Sequence, residues 1–246
     1  MINSAFNYRK IKSLKSWNSN MLQLSDVCYH LRSDYGNPYV TANTLVDISG
    51  NNNIGIISSV NSNVLEYNNN VFYLSNHGPY IHIPTLGFNQ LSEDFTVIAH
   101  VLNNGTSQKN IFSWGNGGIS PYYTFIIGVA NNKLYFQIYN VVSYVKYSNV
   151  LIPDNTYAFI SVGFNQLGSL QINVNGEEEY ILIGTSPLIR NRGASYNRSF
   201  IGRDGNESFL LPSVEKIQTV KIYTKLLSSS EVMAEYSSFK KIKFIQ

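Results

Sequence analysis

The chain has 246 residues, 43% of them hydrophobic and only 13% charged, a balance that fits one large all-β domain, because sandwiches and barrels often reach this length undivided. Tyr (18) and Phe (13) far outnumber Met (3), which favours strands and excludes a helical bundle, and the single cysteine, Cys28, excludes an intrachain disulfide framework and a multi-cysteine metal site. The net charge of +3 combines basic ends with a body, residues 21–236, of about −4, and scattered basic residues without interleaved stacking aromatics disfavour nucleic acid as a partner.

The chain begins with a basic segment, and we assign residues 1–28 to an N-terminal arm. The first twenty residues contain four basic residues and no Asp or Glu. The basic residues are Arg9, Lys10, Lys12 and Lys15. No apolar run of seven or more follows them, so the segment is not a secretory signal, and no stretch approaches the roughly 18 apolar residues of a membrane-spanning helix. We therefore expect a soluble protein, made without an export signal, whose arm docks on other protein chains.

Alternation of apolar and polar residues predicts strands along the body of the chain. Residues 80–84 place Ile81 and Ile83 on one face, and residues 95–101 place every second residue, from Phe95 to Val101, on one face. Both segments are predicted to be half-buried strands.

Turn residues predict two hairpins further along. Strands at 125–129 and 134–139 are joined by residues 130–133, where Asn131 and Asn132 tolerate the positive φ of a tight turn. Strands at 157–164 and 170–174 are followed by Asn175-Gly176, the strongest hairpin signal in the chain, which leads into residues 177–183.

Only one helix start is well marked. Ser228 and Glu231 have the spacing of a capping box, ahead of Val232 and Tyr236, and predict a short surface helix. We assign residues 240–246, with Lys240, Lys241 and Lys243, to a basic C-terminal tail that also serves in docking.

Six motifs, taken in order, resemble those of the laminin G-like, pentraxin-related domains of concanavalin A-like jelly-roll fold. They are Asp47-Ile48-Ser49-Gly50-Asn51, Phe95-Thr96-Val97, Phe112-Ser113-Trp114-Gly115, Val174-Asn175-Gly176, Phe200-Ile201-Gly202-Arg203, and Val220 to Ser228. The resemblance implies an antiparallel β-sandwich over residues 29–239 with a short C-terminal helix. It says less about activity, since this fold hosts lectins, enzymes and structural modules.

Histidines do not predict a metal or catalytic site. The family often has an aromatic residue where His100 stands here, so we expect that face to serve another purpose. His82 and His100 would share a face only if their strands are neighbours, and neither they nor His30 and His77 have zinc-binding spacing.

A glycan site needs an exposed ring beside polar groups. Our candidate ligand-binding residues, which require the loops to converge, are Trp114, Asn116, Tyr122, Tyr123, Arg203, Asp204 and Asn206. Loops rich in Tyr, Asn, Ser and Gly suit protein recognition equally well.

Calcium is the one candidate cofactor. The family resemblance implies a rim site in some members, and Asp47, Asn51 and Asp204 offer hard oxygen ligands. The alternative is that these residues shape loops through Asx turns.

Catalysis by paired carboxylates, as in glycanases of this fold, has one candidate cluster, Glu177-Glu178-Glu179. The cluster begins at a hairpin tip, where charge is usually solvated and protects a strand edge, so we expect no enzyme.

Three functions follow from these observations. The first is a non-enzymatic module of a bacteriophage virion, such as a head decoration or fibre component, that docks through its termini on structural protein chains and forms homo-oligomers. The second is a free carbohydrate-binding lectin-like module that recognises a cell-surface glycan. The third, a glycoside hydrolase, requires two facing carboxylates in a cleft.

Overall fold

A computed structural model describes most of the body of the chain. The described ranges are 27–32, 39–41, 44–51, 53–58, 66–68, 71–74, 79–84, 94–115, 124–139, 144–165, 167–182, 198–203 and 216–243. Within them lie strands β1 to β17, all paired antiparallel in two sheets, and one helix, α1, over Ser229–Lys243. No helix in these ranges is long and apolar enough to cross a membrane.

Sheet 1 has eight strands. Their order is β15 (Glu177–Leu182), β14 (Ser169–Val174), β13 (Thr156–Phe164), β8 (Phe95–Asn103), β17 (Lys216–Tyr223), β6 (Val71–Tyr73) and β5 (Glu66–Asn68), with β1 (Val27–Arg32) also paired to β17.

Sheet 2 has nine strands. Their order is β12 (Tyr144–Leu151), β11 (Lys133–Tyr139), β10 (Thr124–Ala130), β9 (Lys109–Gly115), β16 (Arg198–Ile201), β7 (Tyr80–Ile83), β4 (Gly55–Ser58), β3 (Thr44–Leu45) and β2 (Tyr39–Thr41). The predicted antiparallel sandwich with a C-terminal helix is confirmed.

Aromatic rings fill the space between the two sheets. Phe125 of sheet 2 stacks on Phe95 of sheet 1, with ring centroids 4.9 Å apart, and also contacts Phe112, Trp114 and Phe136 of its own sheet. These side chains point inward because alternate residues of a strand face opposite sides of the sheet. The strand predictions at 80–84 and 95–101 are confirmed, since Ile81, Ile83 and alternate residues from Phe95 to Val101 lie in this core.

The predicted hairpins are present. Asn131 and Asn132 have φ values of 52° and 59°, and Asn175 and Gly176 have values of 53° and 95°, the left-handed backbone that such two-residue turns require. They join β10 to β11 and β14 to β15.

Helix α1 covers the outer face of sheet 1, the face directed away from sheet 2. Ile98 and Phe159 of the sheet pack with Val232 and Phe239 of the helix. The prediction that residues 95–101 are only half-buried is therefore wrong, because the helix buries their second face.

The capping box of α1 is confirmed. Ser228 donates its backbone N–H to the Glu231 carboxylate at 2.8 Å, and the Ser228 hydroxyl accepts from the Glu231 backbone N–H at 3.4 Å. The helix continues to Lys243, so Lys240, Lys241 and Lys243 lie in its last turns, and their role in docking stays a prediction. At the other end, β1 begins at Val27, and Arg9, Lys10, Lys12 and Lys15 lie outside the described residues.

A buried ion pair ties α1 to sheet 1. The Lys221 ammonium lies 2.6 Å from Glu235 Oε2, and the Tyr223 hydroxyl donates to Glu235 Oε1, also at 2.6 Å. The side chains of Lys221 and Glu235 are 9% and 3% exposed. Because burial removes the water that would solvate these charges, each charge is stabilised mainly by the other.

We predict that Glu235→Leu alone lowers the free energy of unfolding by about 3 kcal/mol or more, because it leaves Lys221 charged and buried without its partner. The triple variant Lys221→Met, Tyr223→Phe, Glu235→Leu removes all the polar partners together and should recover most of that loss. Urea unfolding of the three proteins measures this, and equal losses in the single and triple variants would contradict it.

A buried hydroxyl marks the contact between β1 and sheet 2. Tyr29 is completely buried, and its hydroxyl has no hydrogen-bond partner among the described residues. A Cβ at Gly55 would lie 2.7 Å from this oxygen, so only glycine fits beside it. Burial, and secondly the negative charge of Asp47, raise the pKa of the Tyr29 hydroxyl, which therefore stays protonated in the folded chain.

We predict that Tyr29→Phe leaves stability unchanged or raises it by about 1 kcal/mol at pH 7, because it removes an unsatisfied polar group. The advantage should grow above about pH 10, where tyrosine ionises in the unfolded chain but Tyr29 cannot in the folded one. Urea unfolding at both pH values measures this, and a loss of 1 kcal/mol or more at pH 7 would show that the hydroxyl is satisfied.

Candidate functional site

The outer face of sheet 2 carries the strongest candidate site. Strand register places one row of outward-facing side chains across seven strands of this sheet. From β4 to β12 the row is Ile56, His82, Phe200, Ser113, Ile126, Gln137 and Val145. The middle of the row, Phe200, Ser113 and Ile126, is buried, and the residues toward its two ends reach solvent.

An aromatic cluster lies where this row crosses β7 and β16. Tyr80 packs edge-on against Phe200 at 5.5 Å between ring centroids, and His82 contacts Phe200 from the next outward position at 5.0 Å. The Arg203 guanidinium lies over the Tyr80 ring, 4.4 Å from its centroid, and 5.9 Å from that of Phe200. Arg203, Tyr80, His82 and Phe200 together form what we call the Arg203 cluster.

The chain places Arg203 on this face by a turn after β16. Gly202 has φ of 82°, a left-handed conformation, and its N–H donates to the Ile111 carbonyl at 2.9 Å. The Arg203 carbonyl then accepts from the Ser113 hydroxyl at 2.6 Å. Two hydrogen bonds to β9 thus fix the backbone of the residue that carries the charge.

The cluster combines a cation with a ring surface. Phe200 is 2% exposed, whereas Arg203, Tyr80 and His82 are half-buried and reach solvent. A guanidinium over a ring brings a positive charge next to an apolar surface. Such a surface suits a ligand with an apolar face and an anionic group.

Trp114, a predicted ligand-binding residue, is not on the surface. It is 2% exposed and packs against Phe125 at 6.0 Å between ring centroids. Trp114 pairs with Ser199 on the inward face of β9, so strand alternation directs its ring into the core. This placement corrects its interpretation as a platform for sugar.

The other predicted ligand-binding residues are only partly described. Arg203 is placed as above, and Asn116, Tyr122, Tyr123, Asp204 and Asn206 lie outside the described residues. Gly115 pairs with Arg198 at the start of β16, whereas Arg203 follows the end of that strand.

Asp47 organises the turn after β3. One carboxylate oxygen accepts from the backbone N–H groups of His30 and Ser49, and the other accepts from the Ser49 hydroxyl and the Asn53 N–H, all at 2.8 to 3.0 Å. A carboxylate has about four lone-pair positions, so these bonds occupy Asp47 as an Asx turn would.

Calcium at Asp47 and Asn51 stays a prediction. Asn51 donates its N–H and its side-chain amide to the Ser49 hydroxyl, at 3.2 and 3.3 Å. In the ranges that the structure covers, His, Cys, Asp and Glu side chains form no group of three that would hold a metal, and Asp204 lies outside those ranges.

The histidines lie in different surroundings. His82 is in sheet 2 and His100 in sheet 1, so they do not share a face. His100 packs between the rings of Tyr157 and Phe239, beneath α1. His30 pairs with Lys221 across β1 and β17, and His77 is outside the described residues.

The acidic cluster joins the two sheets at their edges. Glu179 accepts hydrogen bonds from the backbone N–H groups of Asn149 and Val150, at 2.7 and 3.0 Å, and from the Asn149 side chain at 3.0 Å. Glu178 accepts from Gln171, and Glu177 is exposed. Glu179 therefore has a role beyond that of a surface charge, because it links β15 to β12.

We predict that Glu179→Ala lowers the free energy of unfolding by about 1–2 kcal/mol, because the N–H groups of Asn149 and Val150 lose a charged acceptor. Glu177→Ala is the matched control and should change stability by less than about 0.5 kcal/mol. Thermal and urea unfolding measure both, and equal effects would contradict the link.

Sequence analysis missed Tyr80, His82 and Phe200 as functional candidates. The signal was present, since Tyr80 and His82 alternate with the inward Ile81 and Ile83, and Phe200 precedes the inward Ile201. What the sequence does not show is that β7 and β16 are neighbours, because more than a hundred residues separate them in the chain.

A family model described as the concanavalin A-like lectin/glucanases superfamily matches residues 75–233. No curated protein sequence matches the chain.

Solved structures share the fold at low identity. One is the binding domain of botulinum neurotoxin DC in complex with rat synaptotagmin II, with TM-score 0.58, 16% identity and coverage of 87% of this chain and 52% of that one. Another, a type C neurotoxin structure described by its interaction with two ganglioside molecules, has TM-score 0.56, 18% identity and coverage of 87% and 52%. A third is the Trypanosoma rangeli sialidase with sialic acid, at TM-score 0.62, 13% identity, and coverage of 88% and 33%. The chain therefore spans about half of the neurotoxin chains and a third of the sialidase.

Proposed function

We propose that this chain, which belongs to the concanavalin A-like lectin/glucanases superfamily, is a carbohydrate-recognition module that binds its ligand at the Arg203 cluster on the outer face of sheet 2. The observation that carries the proposal is the Arg203 guanidinium held 4.4 Å over the centre of the half-buried Tyr80 ring. Rings supply the apolar surface on which a sugar stacks, and the planar guanidinium supplies a positive charge.

The ligand class that we propose is a glycan bearing a carboxylate, such as a sialic acid. Arginine pairs with carboxylates through two parallel N–H···O bonds, a geometry that lysine does not provide. Structural neighbours described with sialic acid and with gangliosides support this choice at the level of ligand class.

We propose that the module is not an enzyme. Three carboxylates of the described residues already have structural partners. Asp47 orders a turn, Glu179 links two sheet edges, and Glu235 neutralises Lys221. Hydrolysis of a glycosidic bond would require two carboxylates on opposite sides of the scissile bond.

The setting that we propose is a bacteriophage virion, as a head decoration or fibre component that contacts other structural chains. The basic ends and the mildly acidic body support this part of the proposal, because opposite charges favour docking between chains. Capsid or tail genes next to the gene for this chain would support the virion setting. Neighbouring genes for secreted carbohydrate-active proteins would instead favour a free lectin.

We predict that Arg203→Gln weakens binding to a sialylated glycan by about tenfold or more, while binding to the same glycan without its sialic acid is unchanged. Arg203→Lys should recover only part of the loss. A glycan array followed by calorimetry measures these affinities.

The matched control is Lys146→Gln, which removes another cation placed over a ring, 5.3 Å from the centroid of Tyr144 on sheet 2. It should bind the sialylated glycan as the unsubstituted chain does. A silent array, or equal losses from Arg203→Gln and Lys146→Gln, would contradict the proposal.

A further inference from the structure

The two sheet edges that meet at Glu179 are protected differently. On β12, the edge strand of sheet 2, the Glu179 carboxylate covers the N–H groups of Asn149 and Val150. On β15, the edge strand of sheet 1, the described part of the chain places no partner beyond β14. An unpaired strand edge offers a row of N–H and C=O groups to another extended segment.

The side chains of β15 divide into two halves. Glu177, Glu178 and Glu179 make its first half acidic, and Tyr180 and Leu182 in its second half are 65% and 82% exposed. Leu167, in the turn beside the end of β15, is 72% exposed and extends this apolar surface. A complementary segment would be basic, with apolar residues toward one end.

The basic arm has that composition. Residues 8–17 read Tyr-Arg-Lys-Ile-Lys-Ser-Leu-Lys-Ser-Trp, with Arg9, Lys10 and Lys12 in the first half and Leu14 and Trp17 in the second. The segment contains no acidic residue and no proline, so nothing in it prevents pairing in an extended form.

We infer that strand β15 is the docking site for residues 8–17 of the arm of a neighbouring copy of this chain. The inference deepens the assembly part of the proposed function and does not depend on the glycan. Electrostatic attraction to Glu177–Glu179 would set the position of an arm that runs parallel to β15. Contact of Leu14, which shares a face of the extended arm with Lys10 and Lys12, with Tyr180 and Leu182 would hold it.

Distances favour a neighbouring copy over the same copy. The arm precedes Val27, which pairs with Tyr223, and a strand added beyond β15 would lie six strand steps of about 4.8 Å, or about 29 Å, from β1. Residues 18–26 span about 30 Å when fully extended, so within one copy they would reach this edge only with no slack. A second copy imposes no such limit.

The experiment is a charge exchange in the full chain, followed by sedimentation equilibrium at low and high salt. The arm variant carries Arg9→Glu, Lys10→Glu, Lys12→Glu and Lys15→Glu, and the edge variant carries Glu177→Lys and Glu178→Lys, with Glu179 kept because it links β15 to β12. We expect the unchanged chain to associate more weakly at high salt, and each variant alone to associate about tenfold or more weakly. Mixing the two variants should restore association.

The control variant, Lys133→Glu with Lys146→Glu, changes charge outside the arm, β15 and the C-terminal segment, and it should associate as the unchanged chain does. A chain that is monomeric at every concentration, as it would be with the arm on its own sheet, overturns the inference, as does failure of two folded variants to associate when mixed. Binding of a sialylated glycan, measured on the same proteins, should be unaffected, so its loss would count only against the glycan proposal.

Discussion

The structure depends on the packing of Phe125 between the two sheets. This ring contacts Phe95 across the sandwich and Phe112, Trp114 and Phe136 within its own sheet. Every strand that contributes to this cluster must direct its alternate residues inward, which leaves the intervening residues on the outer faces. Because the largest rings occupy the core, only the intervening residues are left on the outer faces, where a ligand could contact them.

The two outer faces have different roles as a result. On sheet 1 the outward residues Ile98 and Phe159 are apolar, and α1 buries them with help from the Lys221–Glu235 ion pair. On sheet 2 the outward Tyr80 and His82 are only half-buried and meet a charged side chain, Arg203. A face sealed by a helix supports the fold, and a face that combines rings with a guanidinium is suited to a ligand.

Local sequence signals predicted the fold, but they did not predict that Tyr80, His82 and Phe200 lie around Arg203. Alternation at Ile81 and Ile83, the turn at Asn175-Gly176 and the capping box at Ser228 each depend on residues close in the chain, and all three are present. The Arg203 cluster depends instead on the pairing of β7 with β16, which no local pattern specifies. Trp114 was misjudged for the same reason, because its ring has the chemistry of a sugar platform and only the register of β9 shows that it faces inward.

The proposed recognition surface is the outer face of sheet 2, whereas the outer face of sheet 1 is covered by α1. The most direct measurement is a residue-resolved NMR titration of the full chain with a sialylated oligosaccharide, which follows backbone amide shifts as the ligand is added. The account predicts that the largest shifts fall on Tyr80, His82, Phe200 and Arg203, with those of α1 unchanged. Shifts concentrated on α1 or on β13 and β14 of sheet 1 would contradict it.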